Sequence, residues 1–506
     1  MGIIDGFTEL FSSWQAVVFT ILGTLIGLIG GAVPGLSSGA MISLLIPVTF
    51  YMGPLPALAM IYAVSKSSDF GGSIPAILFN TPGTPQASAT QIEGFPLTQQ
   101  GKQGKALRTA VVASAQGDIF SELLLIFGAS FLAIYATRLG PPEFVAVYLC
   151  AFVIIGSLLG KSLITGMLSV VLGLLFSLVG TDPITAGDRF TFGSFHLVDG
   201  FGLVPVLLGV FVLSEVFEKV GASIAANAGV AIAGTPGNRD DSRLTWPEYK
   251  RIFPTICRSQ IIGSAVGMLP GLGSVVASFV AYSEAKRVSK TPETWGKGEI
   301  AGIAAAEAAN NATSGSNLIP LLTLGIPGST SAALLAGVML IHGVEIGPRV
   351  FETSYDLIYG LFAAGLLCIL TYFIVGYWGA AYLGRIVAKI PAQVVYPIIF
   401  LTCYIAVYAT EQEVFDMVLI TLFGLLGYIM KKVDMSPPAF IIAFILGPGL
   451  EETLRQTFLL DDSGMLYFLE RPVALAFLAL ALVALLLRLR NQFRKRQPSS
   501  GTTGQP

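Results

Sequence analysis

The sequence predicts an all-α polytopic membrane protein with roughly 10 to 12 transmembrane segments. Of the 506 residues, 54% are hydrophobic and 12% are charged, whereas a soluble domain carries about a quarter charged residues. The 57 glycines and 28 prolines are spread through the apolar runs, as in bundles of closely packed and broken membrane helices. A third observation, a pair of Pro-Gly motifs that each occur twice, predicts two inverted-topology repeats with re-entrant or broken helices.

Several apolar runs have the length of about 20 residues that a helix needs to cross the hydrocarbon core. Two other apolar regions, 14–92 and 260–341, are repeatedly interrupted by Pro-Gly pairs. The uninterrupted runs lie near 110–136, 143–160, 163–180, 201–217, 357–379, 393–410, 414–430 and 471–487.

Loop charges predict how these runs are oriented, because Lys and Arg are concentrated on the cytoplasmic side. Basic loops alternate along the chain with acidic ones, which places 182–199 and 451–462 in the periplasm and the C-terminal tail in the cytoplasm. Residues 1–13 contain no Lys or Arg and no cleavage site follows them, so we expect the first apolar run to be retained. The formal net charge of −2 provides no basic surface for nucleic acid.

Two sequence motifs each occur twice, and the second copies follow the first by nearly the same number of residues. We call the Pro-Gly turn within each copy a tip. GGAVPGLSSGA (30–40) recurs as VGMLPGLGSVV (266–276), an offset of 236, and SIPAILFNTPGTPQAS (73–88) resembles LIPLLTLGIPGSTSAA (318–333), an offset of 245. The charges that flank the two copies have opposite signs, which predicts an inverted repeat. The predicted domains are a first inverted repeat at 1–218 (tips near 34–38 and 82–85), a cytoplasmic linker at 219–258, a second inverted repeat at 259–456 (tips near 270–274 and 327–331), an extra terminal helix at 457–490 and a disordered cytoplasmic tail at 491–506.

A hydroxyl residue follows each tip where a helix is expected to begin. Ser and Thr are good N-caps, and a helix N-terminus offers free N–H donors and about half a positive charge. Four such ends would suit an anion with two or three carboxylates, although Pro and Gly could instead simply let helices kink and pack. The predicted substrate-binding residues are Pro34, Gly35, Ser37, Ser38, Gly83, Thr84, Gly271, Ser274, Gly328, Ser329 and Thr330.

Oxygen donors suited to Na⁺ are expected at the ends of the half-helices that precede the tips. The predicted coupling-ion residues are Asn80, Asn310, Asn311, Gly325 and the adjoining Glu307. Apart from Na⁺ as a coupling ion, no cofactor or metal is predicted.

Ionisable residues inside apolar segments are expensive in lipid and become functional candidates by default. Lys66 and Asp69 lie three residues apart on one helical face, which fits either a structural ion pair or a substrate contact. The others are Asp118, Glu122 and Glu215.

An enzyme is poorly supported, because the chain contains two histidines and none of the HExxH, GxSxG or P-loop motifs. The leading hypothesis is a cation-coupled anion carrier. The alternatives are an anion channel, a stand-alone carboxylate carrier, and an intramembrane enzyme with Asp69 and Asp118 as its candidates.

Over nearly its whole length the sequence resembles the large membrane subunit of the tripartite tricarboxylate transporter (TctA-type) family. The matching stretches include GAVPGLSSGA, FGGSIPAILFNTPGTPQASAT, EGFPLTQQGKQGKAL, AEAANNA and LGPGLEETLRQTFLL. Phe70 and Glu93 stand where the family usually has Tyr and Asp. The resemblance implies a permease of the bacterial inner membrane that imports di- and tricarboxylates with a cation gradient. It also implies two partners, a small four-helix membrane subunit and a periplasmic solute-binding protein.

Overall fold

The computed structural model describes residues 2–33, 36–160, 162–182, 185–223, 243–387, 392–461 and 464–496. Within these ranges the chain is almost entirely helical, with one short antiparallel ribbon, β1 (Gly180–Thr181) and β2 (Asp188–Arg189). The predicted all-α class is therefore confirmed. Two compact units are present: unit 1 contains Met1–Arg138 and Phe201–Tyr428, and unit 2 contains Leu139–Gly200 and Ile429–Pro506.

The first part of unit 1 contains both tips of the first predicted repeat. Its helices are α1 (Gly2–Ser12), α2 (Trp14–Ala32), α3 (Ser38–Thr49), α4 (Pro54–Gly71), α5 (Ser73–Phe79), α6 (Ala87–Gln99) and α7 (Gln103–Ala136). The remaining helices are divided between the later part of unit 1 and unit 2. Unit 2 contains α8 (Pro141–Leu159), α9 (Leu163–Ser177), α21 (Pro437–Leu460) and α22 (Pro472–Arg496).

The later part of unit 1 contains the other two tips. Its helices are α10 (Leu203–Leu207), α11 (Ser214–Ser223), α12 (Trp246–Gly267), α13 (Gly273–Arg287), α14 (Ile300–Ser316), α15 (Leu318–Leu324), α16 (Thr330–Ile341), α17 (Val350–Thr353), α18 (Tyr355–Val387), α19 (Ala392–Glu411) and most of α20 (Val414–Lys432). A π-helical stretch, Leu208–Leu213, joins α10 to α11.

Six of the described helices are long and apolar enough to cross a membrane. They are Trp14–Ala32, Gln103–Ala136, Pro141–Leu159, Tyr355–Val387, Val414–Lys432 and Pro472–Arg490. Shorter apolar helices lie at Ser38–Thr49, Leu163–Ser177, Thr330–Ile341 and Tyr396–Glu411. The chain is thus a multi-pass membrane protein, and the regions predicted to be interrupted contain short helices such as α3, α5, α15 and α16 between longer ones.

Glycine allows close packing of helices in both parts of unit 1. A Cβ added to Gly27 of α2 would lie 2.5 Å from the carbonyl oxygen of Val64 in α4, and one added to Gly263 of α12 would lie 2.3 Å from the carbonyl oxygen of Ala309 in α14. Gly263 follows Gly27 by 236 residues and Ala309 follows Val64 by 245 residues. These are the offsets of the repeated motifs, so the helix pairs α2–α4 and α12–α14 pack through corresponding residues.

The predicted linker at 219–258 ends in regular structure, because α12 begins at Trp246. Thr245 and Glu248 form a capping box, and Lys105 forms an ion pair with Glu248 at 2.7 Å. Partial burial opposes ionisation of Glu248, but hydrogen bonds from Lys105 and from the Thr245 backbone and hydroxyl outweigh it and lower the pKa of Glu248 to about 2. The capping box gave a sequence signal for this helix start that the linker prediction missed.

Unit 2 contains a ring of alternating charges. Arg189 donates to Glu451 at 2.6 and 3.1 Å, Arg455 donates to Asp182 at 3.1 and 2.6 Å, and Arg455 also pairs with Glu451 at 2.6 Å. The ring joins the β ribbon to α21, which runs to Leu460. Most of the loop predicted at 451–462 is therefore helical.

The predicted C-terminal boundaries also differ from the structure. α22 begins at Pro472 and continues to Arg496. It therefore extends past the predicted helix end at 490 into the predicted disordered tail, whose residues 497–506 lie outside the described ranges.

Candidate functional site

The second tip of each half has the same backbone geometry. In the first half, α5 ends at Asn80 in a left-handed conformation (φ 58°), and the Gly83 N–H donates to the Gly72 carbonyl oxygen at 3.0 Å. In the second half, α15 ends at Gly325 (φ 76°), and the Gly328 N–H donates to the Asn317 carbonyl oxygen at 3.3 Å. Each residue of the second set follows its counterpart by 245 positions.

The tips also contact each other within a half. The Gly271 N–H donates to the Gly328 carbonyl oxygen at 3.2 Å, so both tips of the second half meet. In the first half, a Cβ on Gly83 would lie 2.0 Å from the carbonyl oxygen of Gly31, just before the first tip. The predicted site residues Pro34 and Gly35 lie outside the described residues.

Two of the four predicted hydroxyl caps are present. The Ser37 hydroxyl accepts a hydrogen bond from the Ala40 N–H at 3.2 Å at the start of α3, and the Ser329 hydroxyl accepts one from the Ala332 N–H at 3.1 Å at the start of α16. Both side chains are half-buried.

The other two predicted caps are wrong. α6 begins at Ala87 after a turn, so the cap position belongs to Gln86, which makes no side-chain capping bond, and not to Thr84. α13 begins at Gly273, one residue before Ser274, which places Ser274 inside the helix. Thr84 is buried, and its hydroxyl has no hydrogen-bond partner.

The N-termini of α3 and α16 bring together predicted residues from the two halves. A Cβ on Gly39, in the first turn of α3, would lie 3.3 Å from Thr330 Cγ2 in α16. Further polar contacts surround this meeting point. Ser68 donates to the Ser38 hydroxyl at 2.9 Å, Asn317 donates to the Ser329 hydroxyl at 2.9 Å, and the Ser37 hydroxyl donates to Glu215 at 3.0 Å.

We call Ser37, Ser38, Ser68, Ser329 and Thr330 the hydroxyl cluster. A cavity of about 10 Å³, large enough for one water molecule, lies near this cluster. It is lined by Tyr62, Ser65, Ser314, Asn317 and Ser331 together with apolar side chains of α4, α15 and α16.

Glu307 of α14 is fully buried and accepts hydrogen bonds from three hydroxyl groups. The donors are Ser73 of α5 at 2.5 Å, Ser114 of α7 at 2.7 Å and Thr90 of α6. Among the described residues no basic side chain forms an ion pair with Glu307. The carboxyl group thus ties α14 of the second half to α5, α6 and α7 of the first.

Asn310 and Asn311 were expected at a half-helix end, but they lie inside α14. The side-chain nitrogen of Asn310 donates to the Asp69 carbonyl oxygen at 3.4 Å, and that of Asn311 donates to the Glu307 carbonyl oxygen at 3.2 Å. Both side-chain oxygens are buried without a hydrogen-bond partner. Because an amide oxygen accepts hydrogen bonds and coordinates cations, both oxygens are available to a hydrogen-bond donor or to a small cation.

Asn80 and Gly325 are not grouped with these residues. Asn80 is exposed, and Gln91 donates to both its backbone and its side-chain oxygen at 2.7 Å. It lies at the opposite end of α5 from Ser73, about 10 Å away along the helix axis. Gly325 holds the corresponding position at the end of α15.

Of the two alternatives for Lys66 and Asp69, the ion pair between them is wrong. The Lys66 ammonium group forms ion pairs with Asp118 and Glu122 of α7, each at 2.8 Å, whereas Asp69 accepts a hydrogen bond from Gln86 at 2.7 Å. Tyr62 and Lys66 are four residues apart, as are Asp118 and Glu122, so each pair lies on one helical face. That shared spacing was the available sequence signal.

Glu93 forms a further buried site that sequence reasoning missed. Its carboxylate accepts hydrogen bonds from the backbone N–H groups of Gly296, Gly298 and Glu299 at 2.5 to 2.9 Å, and from the Tyr282 hydroxyl at 2.8 Å. This clamp holds the connection between α13 and α14 against α6. The helix pair α5–α6 is thereby tied to the other half of unit 1.

A multi-pass helical protein whose helices break at paired Pro-Gly tips belongs to the class of membrane transport proteins with discontinuous helices. Comparison with known proteins identifies the family. A family model described as "Tripartite tricarboxylate transporter TctA family" matches residues 17–442. The chain therefore belongs to the TctA family, and it is a membrane subunit of a tripartite tricarboxylate transporter, a system that also includes other subunits and a solute-binding protein.

Two proteins of Agrobacterium vitis are similar to the chain. An uncharacterized 52.8 kDa protein in the TAR-I ttuC' 3' region is 33% identical over 486 residues, which cover 95% of this chain and 94% of the relative. An uncharacterized protein in the TAR-II ttuC' 3' region is 36% identical over 240 residues, which cover 46% of this chain and 97% of the relative. No solved structure matches the chain.

Proposed function

We propose that this chain is the permease subunit of a secondary active importer that moves di- and tricarboxylates across the bacterial inner membrane with a Na⁺ or H⁺ gradient. A periplasmic solute-binding protein delivers the substrate, and a small four-helix membrane subunit completes the complex. The observation that carries the proposal is the meeting of the α3 and α16 N-termini, one from each half, at the half-buried hydroxyl cluster.

The chemistry of the hydroxyl cluster suits a carboxylate. Each helix N-terminus contributes about half a positive charge and unpaired N–H donors, so α3 and α16 together offer about one positive charge. Both helices have 12 residues, enough to develop this field. Ser38, Ser329 and Thr330 add hydroxyl donors, whereas the Ser37 and Ser68 hydroxyl groups already donate to Glu215 and Ser38.

The coupling cation binds near Glu307. A buried carboxylate without a cationic partner is costly, so it takes up a proton or binds a metal cation. The unpartnered oxygens of Asn310 and Asn311, on the same helix, are hard donors of the kind that Na⁺ prefers. Glu307 of the second half accepts hydrogen bonds from α5, α6 and α7 of the first half. Cation binding at Glu307 therefore changes contacts between the two halves of unit 1.

The matching contacts at offsets of 236 and 245 support an internal repeat, and the reversed flanking charges support its inversion. In secondary transporters, two such repeats provide alternating access by moving against each other around a central site. The site between α3 and α16 combines elements of both repeats, as that mechanism requires.

The experiment measures uptake of radiolabelled citrate by cells that express the full chain with its partner proteins. Ser37→Ala and Ser329→Ala should each weaken the apparent affinity about fivefold, because loss of an N-cap costs about 1 kcal/mol and the backbone donors remain. The double variant should lose about 25-fold if the sites act independently.

Ser157→Ala is the matched control, since Ser157 of α8 donates only within its own helix, to the Ile154 carbonyl oxygen at 2.9 Å. Unchanged citrate affinity in the double variant, at wild-type protein level, would show that these helix ends do not bind substrate.

A further inference from the structure

Four titratable side chains on α4 and α7 form a sealed cluster that, within the described residues, shares no hydrogen bond with Glu307. Lys66 donates to Glu122 Oε2 at 2.8 Å and forms an ion pair with Asp118 at the same distance, and Tyr62 donates to the same Glu122 oxygen at 2.6 Å. The charged side chains are 0% exposed. Tyr372 of α18 completes the cluster by donating to Asp118 Oδ2 at 2.8 Å.

The charges in this cluster do not balance. One ammonium group faces two carboxylates, so the fully ionised cluster carries a net charge of −1 in the protein interior. Burying an uncompensated charge is far more costly than burying a neutral acid. One further positive charge, either a proton or a metal cation, is needed for neutrality.

Hydrogen bonding indicates which carboxyl group takes that charge. Asp118 Oδ2 accepts a hydrogen bond from Tyr372, and Asp118 Oδ1, which accepts no hydrogen bond, lies 2.8 Å from the Lys66 ammonium group in an ion pair. Glu122 receives both of its donors on Oε2, while Oε1 is buried and has no partner. Glu122 Oε1 is therefore the carboxylate oxygen of the cluster that has neither a hydrogen-bond donor nor an ion-pair partner.

The space around Oε1 admits a proton and excludes a metal ion. A Cβ on Gly365 of α18 would lie 2.5 Å from Glu122 Oε1 and 2.8 Å from Tyr62 Cε1, so the oxygen is packed directly against the α18 backbone. Among the described residues, no three His, Cys, Asp or Glu side chains group as metal ligands. A metal cation needs several oxygen ligands, whereas a proton needs one.

We propose that Glu122 is a proton-binding site of the transport cycle, separate from the cation site at Glu307. This inference rests on the proposed function. Protonation of Oε1 converts the carboxylate to a neutral carboxylic acid, leaving Lys66 and Asp118 as a balanced pair. Release of the proton restores the net charge of −1 between α4, α7 and α18.

The proton site can act on the substrate site through α4. Lys66 lies two residues before Ser68, whose hydroxyl donates to Ser38 of the hydroxyl cluster at 2.9 Å. A shift of Lys66 toward a newly charged Glu122 would move this part of α4 and its bond to the N-terminus of α3.

The groups that face Glu122 come from every helix packed around it. α4 contributes Tyr62 and Lys66, together with the buried Asp69, which interacts electrostatically with Lys66 and Asp118. α7 contributes Asp118, and α18 contributes Tyr372 and Cys368, whose thiol lies 3.5 Å from the Ala63 carbonyl oxygen. The titratable residue of α14 is Glu307, held by its own three hydroxyl donors. α2 and α15 contain no titratable side chain.

The first test reads the proton directly and does not depend on substrate. Infrared spectra of the purified full-length protein should contain a C=O stretch of a neutral carboxylic acid that shifts in D₂O. Glu122→Gln, which resembles the protonated form in shape and charge, should lack one component of that band. Glu293→Gln, at an exposed loop position, should retain it. Identical carboxylic acid bands in wild type and Glu122→Gln would overturn the assignment.

The second test uses radiolabelled citrate in membrane vesicles that contain the complete transporter. Glu122→Gln should exchange internal for external citrate but should not accumulate it when a pH gradient is imposed. Accumulation at the wild-type level, or loss of exchange in a variant that melts like wild type, would contradict the coupling role. If the wild-type protein moves no citrate, the proposed function fails in its substrate while the infrared result still decides the proton site.

Discussion

Replacing Lys66 by Met tests the charge balance of the buried cluster most simply. The substitution keeps the length of the side chain but removes two ion pairs at 2.8 Å and a hydrogen bond to Tyr62 at 3.3 Å. Breaking a buried ion pair by removing one partner costs about 3–5 kcal/mol, because the remaining charge is uncompensated. With Glu122 protonated, that charge belongs to Asp118. We therefore expect Lys66→Met to lower the free energy of unfolding by about 3–5 kcal/mol.

A second substitution in the same cluster should reverse most of this loss. Asp118→Asn removes the uncompensated charge, and its side-chain oxygen can still accept the hydrogen bond from Tyr372. Replacing both partners of a buried pair is often nearly neutral, so the double variant should lie within about 2 kcal/mol of wild type. Unfolding of the purified protein in detergent gives both values.

Lys290→Met is the control, because Lys290 is exposed in the loop after α13. The charge argument fails if Lys66→Met is as stable as this control. It also fails if the double variant is no more stable than Lys66→Met alone.

Three further predictions concern the tips and the connections around them. Gly83→Ala should destabilise the protein by about 1–3 kcal/mol, because the new methyl group would lie 2.0 Å from a backbone oxygen; Gly128→Ala, whose nearest contact is at 3.9 Å, should be neutral or slightly stabilising in the same melting assay. Glu93→Gln replaces a charged acceptor, which contributes about 1.5–3 kcal/mol per hydrogen bond, by a neutral one. Trypsin should therefore cleave the α13–α14 connection faster at Lys290 and Lys297. An unchanged cleavage rate would show that Glu93 does not hold this connection. The pKa of Glu248 is lowered from 4.5 to about 2, so its ionised form stabilises the fold above pH 4.5 and this stabilisation is lost as the pH falls toward 2. Glu248→Gln should therefore remove this pH dependence of the free energy of unfolding and should be less stable than wild type at neutral pH. Equal stability of the variant and wild type at neutral pH would show that the hydrogen bonds to Glu248 are absent.

The long helices were predictable because their signal is local. About 20 consecutive apolar residues specify a span regardless of what packs against it, and α7, α8, α18 and α20 all fall where the composition places them. The short helices α5 and α15 were anticipated from Pro-Gly interruptions, and their left-handed ends at Asn80 and Gly325 agree with residue types that tolerate positive φ.

The site was less predictable because its contacts join distant segments. The three donors to Glu307 are Ser73, Thr90 and Ser114, ordinary hydroxyl residues that carry no motif until α5, α6 and α7 surround α14. The pairing of Lys66 with α7 instead of Asp69 likewise depends on which helix face packs against which neighbour. The cap predictions at Thr84 and Ser274 were wrong because a shift of one to three residues in a helix start decides which side chain reaches the free N–H groups.

Accumulation of radiolabelled citrate against its gradient is the most direct test of the proposed function. Vesicles that contain the full chain and its partner proteins are given an inward Na⁺ or H⁺ gradient, and internal citrate is compared with that of vesicles in which the gradient has been collapsed. We expect internal citrate to exceed the external concentration only while a cation gradient is present. Equilibration to equal concentrations regardless of any gradient would instead indicate a channel and contradict cation-coupled import.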